Sequence, residues 1–190
     1  MSVQKIGIYG GTFDPIHHAH LILAREAGEQ LQLEKVILVP AAVSPQKQPP
    51  IAPAPARLQM LQAAIDGTMP FEIDDSELRR PPPSYTIDTI EEFAHKYPDN
   101  QFFYLIGDDN VGSLPTWRRF KDLRQIVTFV VLRRAESPVS HEYLSVERRI
   151  DISATEIRNR VAMGRSIRYL VPQAVEEIIR AQRLYREVSK

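Results

Sequence analysis

Five short runs rich in β-branched and aromatic residues recur along the chain: KIGIY (5–9), KVILVP (35–40), FEIDD (71–75), FFYLIG (102–107) and IVTFVVL (126–132). Most are apolar throughout rather than alternating, the pattern of strands buried on both faces. Segments with helical spacing lie between them. Residues 18–31 place Leu21, Ala24, Ala27 and Leu31 on one face, and 56–66 and 86–97 read as further helices. Residues 114–123 suggest a short helix, and ATEIRNRVAMG and PQAVEEIIRAQRLY close the chain as two more. Strands alternating with helices are satisfied by one parallel sheet covered on both faces and joined by right-handed crossovers. The expected class is therefore α/β: a Rossmann-like, doubly wound parallel sheet of five to six strands with C-terminal helices. A length of 190 residues suits one domain over 1–190.

In such sheets ligands bind beyond the carboxyl ends of the strands, where the strand order reverses. Three polar loops follow strands here, at 10–20, 41–55 and 108–117, and should converge on one edge. The first reads GGTFDPIHHAH and holds three of the five histidines. Gly10 and Gly11 allow a tight turn and close approach of a ligand to the main chain. The helix that follows should aim its unpaired N–H groups and positive dipole end at the crevice. His17 and His20, three apart, share a helix face and can donate to phosphate, as can the Thr12 hydroxyl. The stretch has neither GxGxxG nor GxxxxGK[ST], which argues against dehydrogenase-type dinucleotide binding and against a P-loop. An incidental strand-to-helix turn and a zinc site remain open, although HxxH supplies just two ligands.

Near the other end, DISATEIRNR (151–160) carries Ser153-x-x-Glu156, a capping-box pattern. A plain helix cap accounts for it; so does an anion site built from Ser153, Thr155, the helix start and Arg158.

GGTFDPIHHAH resembles the HxGH signature of nucleotidyltransferases, with Ala19 at the usual glycine, and ISATEIR resembles their ISSTxIR motif. PPPSYTIDTI (81–90) and YLIGDDNVGSLPTWRRF (104–120) are similar to segments of the bacterial nicotinate-nucleotide adenylyltransferase family. The resemblance spans nearly the whole chain and is weakest between Leu132 and Ile150. It implies transfer of AMP from ATP to nicotinate mononucleotide, giving deamido-NAD and pyrophosphate. It implies catalytic roles for His17, His20 and Arg158, and ATP contacts from Gly10, Gly11, Thr12, Phe13, Lys47, Gly107, Asp109, Ser153 and Thr155. Tyr85, Thr86 and Trp117 would hold the mononucleotide, Trp117 by stacking on the pyridine. Mg²⁺ would be carried mainly by ATP phosphates, with no protein metal site. Arg133 and Arg134 are weaker phosphate candidates. Other acceptors (4′-phosphopantetheine, nicotinamide mononucleotide) and a non-catalytic nucleotide-binding module stay open.

Composition narrows the partners. Lysine plus arginine equals aspartate plus glutamate at 24 each, which argues against holding nucleic acid by bulk charge. There is no cysteine, which suits a reducing cytoplasm. No stretch approaches the ~20 apolar residues of a membrane span. A homo-oligomer is left open.

Overall fold

The computed structural model describes residues 3–45, 48–65, 67, 70–133 and 141–186. Its centre is a six-stranded, all-parallel sheet: β1 (Lys5–Gly11), β2 (Lys35–Pro40), β3 (Phe71–Ile73), β4 (Gln101–Gly107), β5 (Val127–Arg133) and β6 (Leu144–Glu147). The spatial order is β3-β2-β1-β4-β5-β6. The chain winds outward from β1 to one edge, then crosses back to β4 and winds to the other, so the reversal lies between β1 and β4. Ile8 of β1 faces Ile37 on one side and Tyr104 on the other.

Alternate side chains of each strand enter different cores, which is why the strand runs are apolar throughout. On one face Tyr9, Leu38, Leu105 and Val130 pack with Leu23 and Ala27 of α1 (His18–Leu31) and Met60 and Leu61 of α2 (Ala54–Ala64). Ile157 of α6 (Ala154–Ala162) and Val175 and Ile179 of α7 (Gln173–Ala181) complete that layer. On the other face Ile8, Ile37, Tyr104 and Val131 meet Ile87, Ile90 and Phe93 of α4 (Thr86–Lys96) and Leu123 of α5 (Phe120–Ile126).

The expected elements appear, with four differences. A 3-10 helix spans Asp108–Thr116, and α5 begins only at Phe120. Pro115 and a left-handed Arg119 (φ 53°) prevent one continuous helix over 114–123. The one-turn α3 (Ser76–Arg79) follows β3. The sixth strand, LSVE, escapes the apolar-run criterion because, at a sheet edge, only Val146 is buried. Finally, α2 starts at Ala54 with Pro55 in its first turn, where a missing N–H costs nothing. No helix among the described residues is long and apolar enough to cross a membrane.

Candidate active site

A cavity of about 430 Å³ opens at the carboxyl ends of β1, β2 and β4, a volume suited to a small-molecule ligand. Gly10, Gly11 and Thr12 form its floor, Ser84, Tyr85 and Thr86 one wall, and Gly107, Asp109 and Trp117 another. All three post-strand loops thus reach one edge, as the alternation requires. Gly10 lets Tyr104 approach the main chain: a Cβ there would lie 2.3 Å from the Tyr104 hydroxyl oxygen and force that side chain to move. Burial pushes the pKa of that phenol well above its usual value.

Trp117 is half-buried. Its indole meets Tyr104 edge-on at 6.0 Å and Phe129 at 6.3 Å, its Nε1–H donates to Ser113 Oγ (3.4 Å), and it still lines the cavity. Core packing and a ligand-facing surface are therefore both properties of this residue. Asp109 accepts from Asn110 Nδ2 (3.0 Å) at the cavity wall. Glu77, absent from the sequence-based candidates, also lines the cavity and is 5% exposed. Desolvation pushes its carboxyl above the usual range, against hydrogen bonds from Thr89 (2.6 Å) and Ser84.

His17, His20, Phe13, Ser153, Thr155 and Arg158 do not line this cavity. They gather on the opposite face of the sheet, across the Gly10–Thr12 turn. The His17 and His20 rings stack with centroids 3.6 Å apart and 24° between planes. His20 Nδ1 accepts the His17 main-chain N–H (3.3 Å), so the neutral ring carries its proton on Nε2 and keeps one donor. His17 is fully buried, and Phe13 is 2% exposed with its ring edge-on to Tyr9 and His20, so Phe13 can offer a ligand only its main chain. The expectation of open N–H groups at the start of α1 is corrected: the His18 N–H donates to Leu170 O (3.0 Å). The C-terminal segment caps this helix, leaving its dipole but not all of its donors. Ala19 is fully buried within α1.

The second motif begins α6 as expected, with Ser153 Oγ accepting from Glu156 N–H (3.1 Å). Arg158 joins the two motifs. Its Nη1 donates to the Asp14 carbonyl (2.7 Å), across 144 residues of sequence, and its Nη2 to Thr155 Oγ1 (3.1 Å). Arg133 pairs with Glu147 (3.0 Å). Lys47 and Arg134 lie outside the described residues.

Beneath the turn lies a buried polar cluster that sequence reasoning missed. Arg57 of α2 is 1% exposed. Its Nη1 donates to Thr12 O and Ala41 O (both 2.7 Å), its Nε to Ala52 O (3.3 Å) and its Nη2 to Ala42 O (3.4 Å). Burial lowers its pKa, and nearby Asp14 opposes that shift. In a trans peptide the carbonyl and the next N–H point opposite ways. Drawing Ala41 O inward turns the Ala42 N–H outward, where it meets Ser84 Oγ (3.0 Å) on the cavity wall. Drawing Thr12 O inward turns the Phe13 N–H outward likewise, and Phe13 itself holds a strained φ of 47°. Asp14 accepts from Ile51 N–H (2.7 Å), Ala52 N–H (3.1 Å) and the Tyr185 hydroxyl (2.7 Å). One carboxylate thus ties the first turn, the proline-rich loop and the C-terminal segment together. A signal existed: Arg57 falls three and four residues before the apolar Met60 and Leu61, on the face of α2 that must be buried.

The chain is similar to known proteins over nearly its whole length. The model of the cytidylyltransferase-like family matches residues 8–160. A protein of Exiguobacterium sibiricum named "Probable nicotinate-nucleotide adenylyltransferase" is 42% identical over 187 residues, covering 96% of this chain and 99% of the relative. One of Thermus thermophilus with the same name is 41% identical, covering 96% of this chain and 100% of the relative. Among solved structures, the Plasmodium falciparum nicotinic acid mononucleotide adenylyltransferase complexed with NaAD superposes with a TM-score of 0.78 at 17% identity, covering 96% of this chain and 97% of that one. At that identity the likeness concerns the fold.

Proposed function

Since the chain belongs to the nicotinate-nucleotide adenylyltransferases, within the cytidylyltransferase-like family, we propose that it transfers the adenylyl group of ATP to nicotinate mononucleotide. The supporting observation is the bond from Arg158 of the ISATEIR segment to the main chain of the GGTFDPIHHAH segment. It brings two segments remote in sequence together beside a cavity whose volume suits a small-molecule ligand, which supports reading both as phosphate-binding motifs.

A 5′-phosphate oxygen of the mononucleotide attacks the α-phosphorus of ATP. A new P–O bond forms, the bond from the α-phosphorus to the α–β bridging oxygen breaks, and its electron pair leaves on pyrophosphate. The attacking oxygen is already anionic, so no general base is required, and catalysis reduces to positioning and charge stabilisation. His17 and His20 donate to the triphosphate as charge moves onto the leaving group. His17 is fully buried against His20, so its contact with the triphosphate requires a local rearrangement. Thr12, the Phe13 N–H, Ser153, Thr155 and Arg158 hold the polyphosphate. Asp109 orients a ribose hydroxyl, Trp117 stacks on the pyridine ring, and the main chain near Tyr85 and Thr86 meets its carboxylate. Mg²⁺, when bound, offsets polyphosphate charge. Phosphate oxygens and water are its natural ligands, and no group of three or more His, Cys, Asp or Glu that could hold a metal occurs among the described residues.

The chain with ATP, Mg²⁺ and nicotinate mononucleotide should release pyrophosphate and form deamido-NAD in equal amounts; no product with this acceptor rejects the proposal. In the same assay Trp117→Ala should raise KM for the mononucleotide roughly 5- to 150-fold, the equivalent of about 1–3 kcal/mol of lost stacking, and leave KM for ATP nearly unchanged. Equal losses for both substrates would remove Trp117 from the pyridine site.

A further inference from the structure

We propose that Tyr185, in the segment that follows α7, is a positioning residue for ATP: through Asp14 it holds the Thr12–Phe13 turn in the arrangement that receives the polyphosphate. This rests on the function proposed above. The Tyr185 hydroxyl donates to Asp14 Oδ1 (2.7 Å), a contact that spans 171 residues of sequence. Both residues are buried. Burial first, and the Asp14 charge after it, push the phenol pKa above its usual value, so the hydroxyl keeps its proton and acts as a donor. The ring itself belongs to the apolar layer that contains Val175 and Ile179, a packing task that phenylalanine would perform equally. The hydroxyl answers a separate need.

That need lies at the turn. Three elements hold residues 12–14 from behind. Arg57 of α2 takes the Thr12 carbonyl (2.7 Å), Arg158 of α6 takes the Asp14 carbonyl (2.7 Å), and the segment after α7 takes the Asp14 carboxylate through Tyr185. Phe13 stands between the two held carbonyls at a φ of 47°, a backbone state that persists when its surroundings over-determine it. Tyr185 accepts a left-handed φ of 60° to make its own contact. The carboxylate also receives the Ile51 and Ala52 N–H groups of the proline-rich loop. Loss of the phenol donor leaves a buried carboxylate oxygen short of one partner. Asp14 then shifts to find another, and the adjacent Phe13 N–H loses its aim.

The test measures Kd for ATP with Mg²⁺ by calorimetry, kcat and both KM values, and the melting temperature. It compares the full-length chain with Tyr185→Phe and Val175→Ala. Val175 is fully buried in α7, so its truncation loosens the same layer without removing a donor from Asp14. Tyr185→Phe should raise Kd and KM for ATP roughly five- to tenfold, the loss of one hydrogen bond to a charged group. Its kcat and its KM for the mononucleotide should stay nearly unchanged, the signature of lost uniform binding of one substrate. Val175→Ala should lower the melting temperature and leave Kd for ATP nearly unchanged. In an Asp14→Asn background, Tyr185→Phe should change ATP affinity less than it does alone. A folded Tyr185→Phe with unaltered Kd for ATP overturns the proposal. So does a Val175→Ala chain whose ATP affinity falls equally, which would make the role of Tyr185 one of stability alone, and so does full additivity with Asp14→Asn. A starting chain that binds ATP but forms no deamido-NAD rejects the adenylyl-transfer reading, and the calorimetric comparison then still decides for or against Tyr185. A starting chain that does not bind ATP overturns both.

Discussion

His20→Ala should lower kcat by ~10²–10³-fold, the usual cost of removing one donor aimed at developing transition-state charge. The geometry makes this imidazole a donor rather than a base. Nδ1 is occupied as an acceptor of the His17 N–H, so Nε2 carries the proton. KM for the mononucleotide should change little, because the pyridine side of the cavity lies across the Gly10–Thr12 turn from His20. The ring also packs edge-on against Tyr9 (5.9 Å) and Phe13 (5.1 Å), so the melting temperature must be measured beside kcat. His20→Asn, which restores a polar donor at similar depth, should recover part of the rate. A fully folded His20→Ala with undiminished turnover would remove this residue from the mechanism.

Arg57→Met should destabilise the fold by about 3–5 kcal/mol, the range for breaking a buried charged network from one side. The thioether fills much of the volume but donates nothing. The carbonyls of Thr12, Ala41, Ala42 and Ala52 lose their shared donor, and buried Asp14 loses the cation beside it. Domains of ordinary stability retain about 5–15 kcal/mol, so the variant should be marginal but measurable by urea denaturation. A shift below ~1 kcal/mol would mean that water or rearranged loops replace the guanidinium and that the two turns are not held by it.

The sheet was legible because β1, β2, β4 and β5 are apolar throughout, and only strands covered on both faces tolerate that. β6 was not, because four residues at a sheet edge bury only Val146 and leave no periodic signal. The two motifs were legible as residue types at a strand-to-helix turn and a capping box. Their meeting was expected from the resemblance; the contact that makes it, Arg158 donating to the Asp14 carbonyl, was not, since no local pattern encodes tertiary packing. The donors at the start of α1 were overestimated for the same reason: Leu170, far along the chain, supplies the cap. Arg57 was visible only as a charge on an apolar helix face, a feature that local propensity reads as tolerable rather than as a buried anchor.

The claim on which the rest depends is that both motifs grip one polyphosphate. Amide NMR of the full chain titrated with inorganic tripolyphosphate and Mg²⁺ tests it directly. The Thr12 and Phe13 amides and those of Ser153 to Thr155 should shift together along one saturation curve with one Kd. Shifts confined to one segment, or two curves with different Kd values, would contradict it.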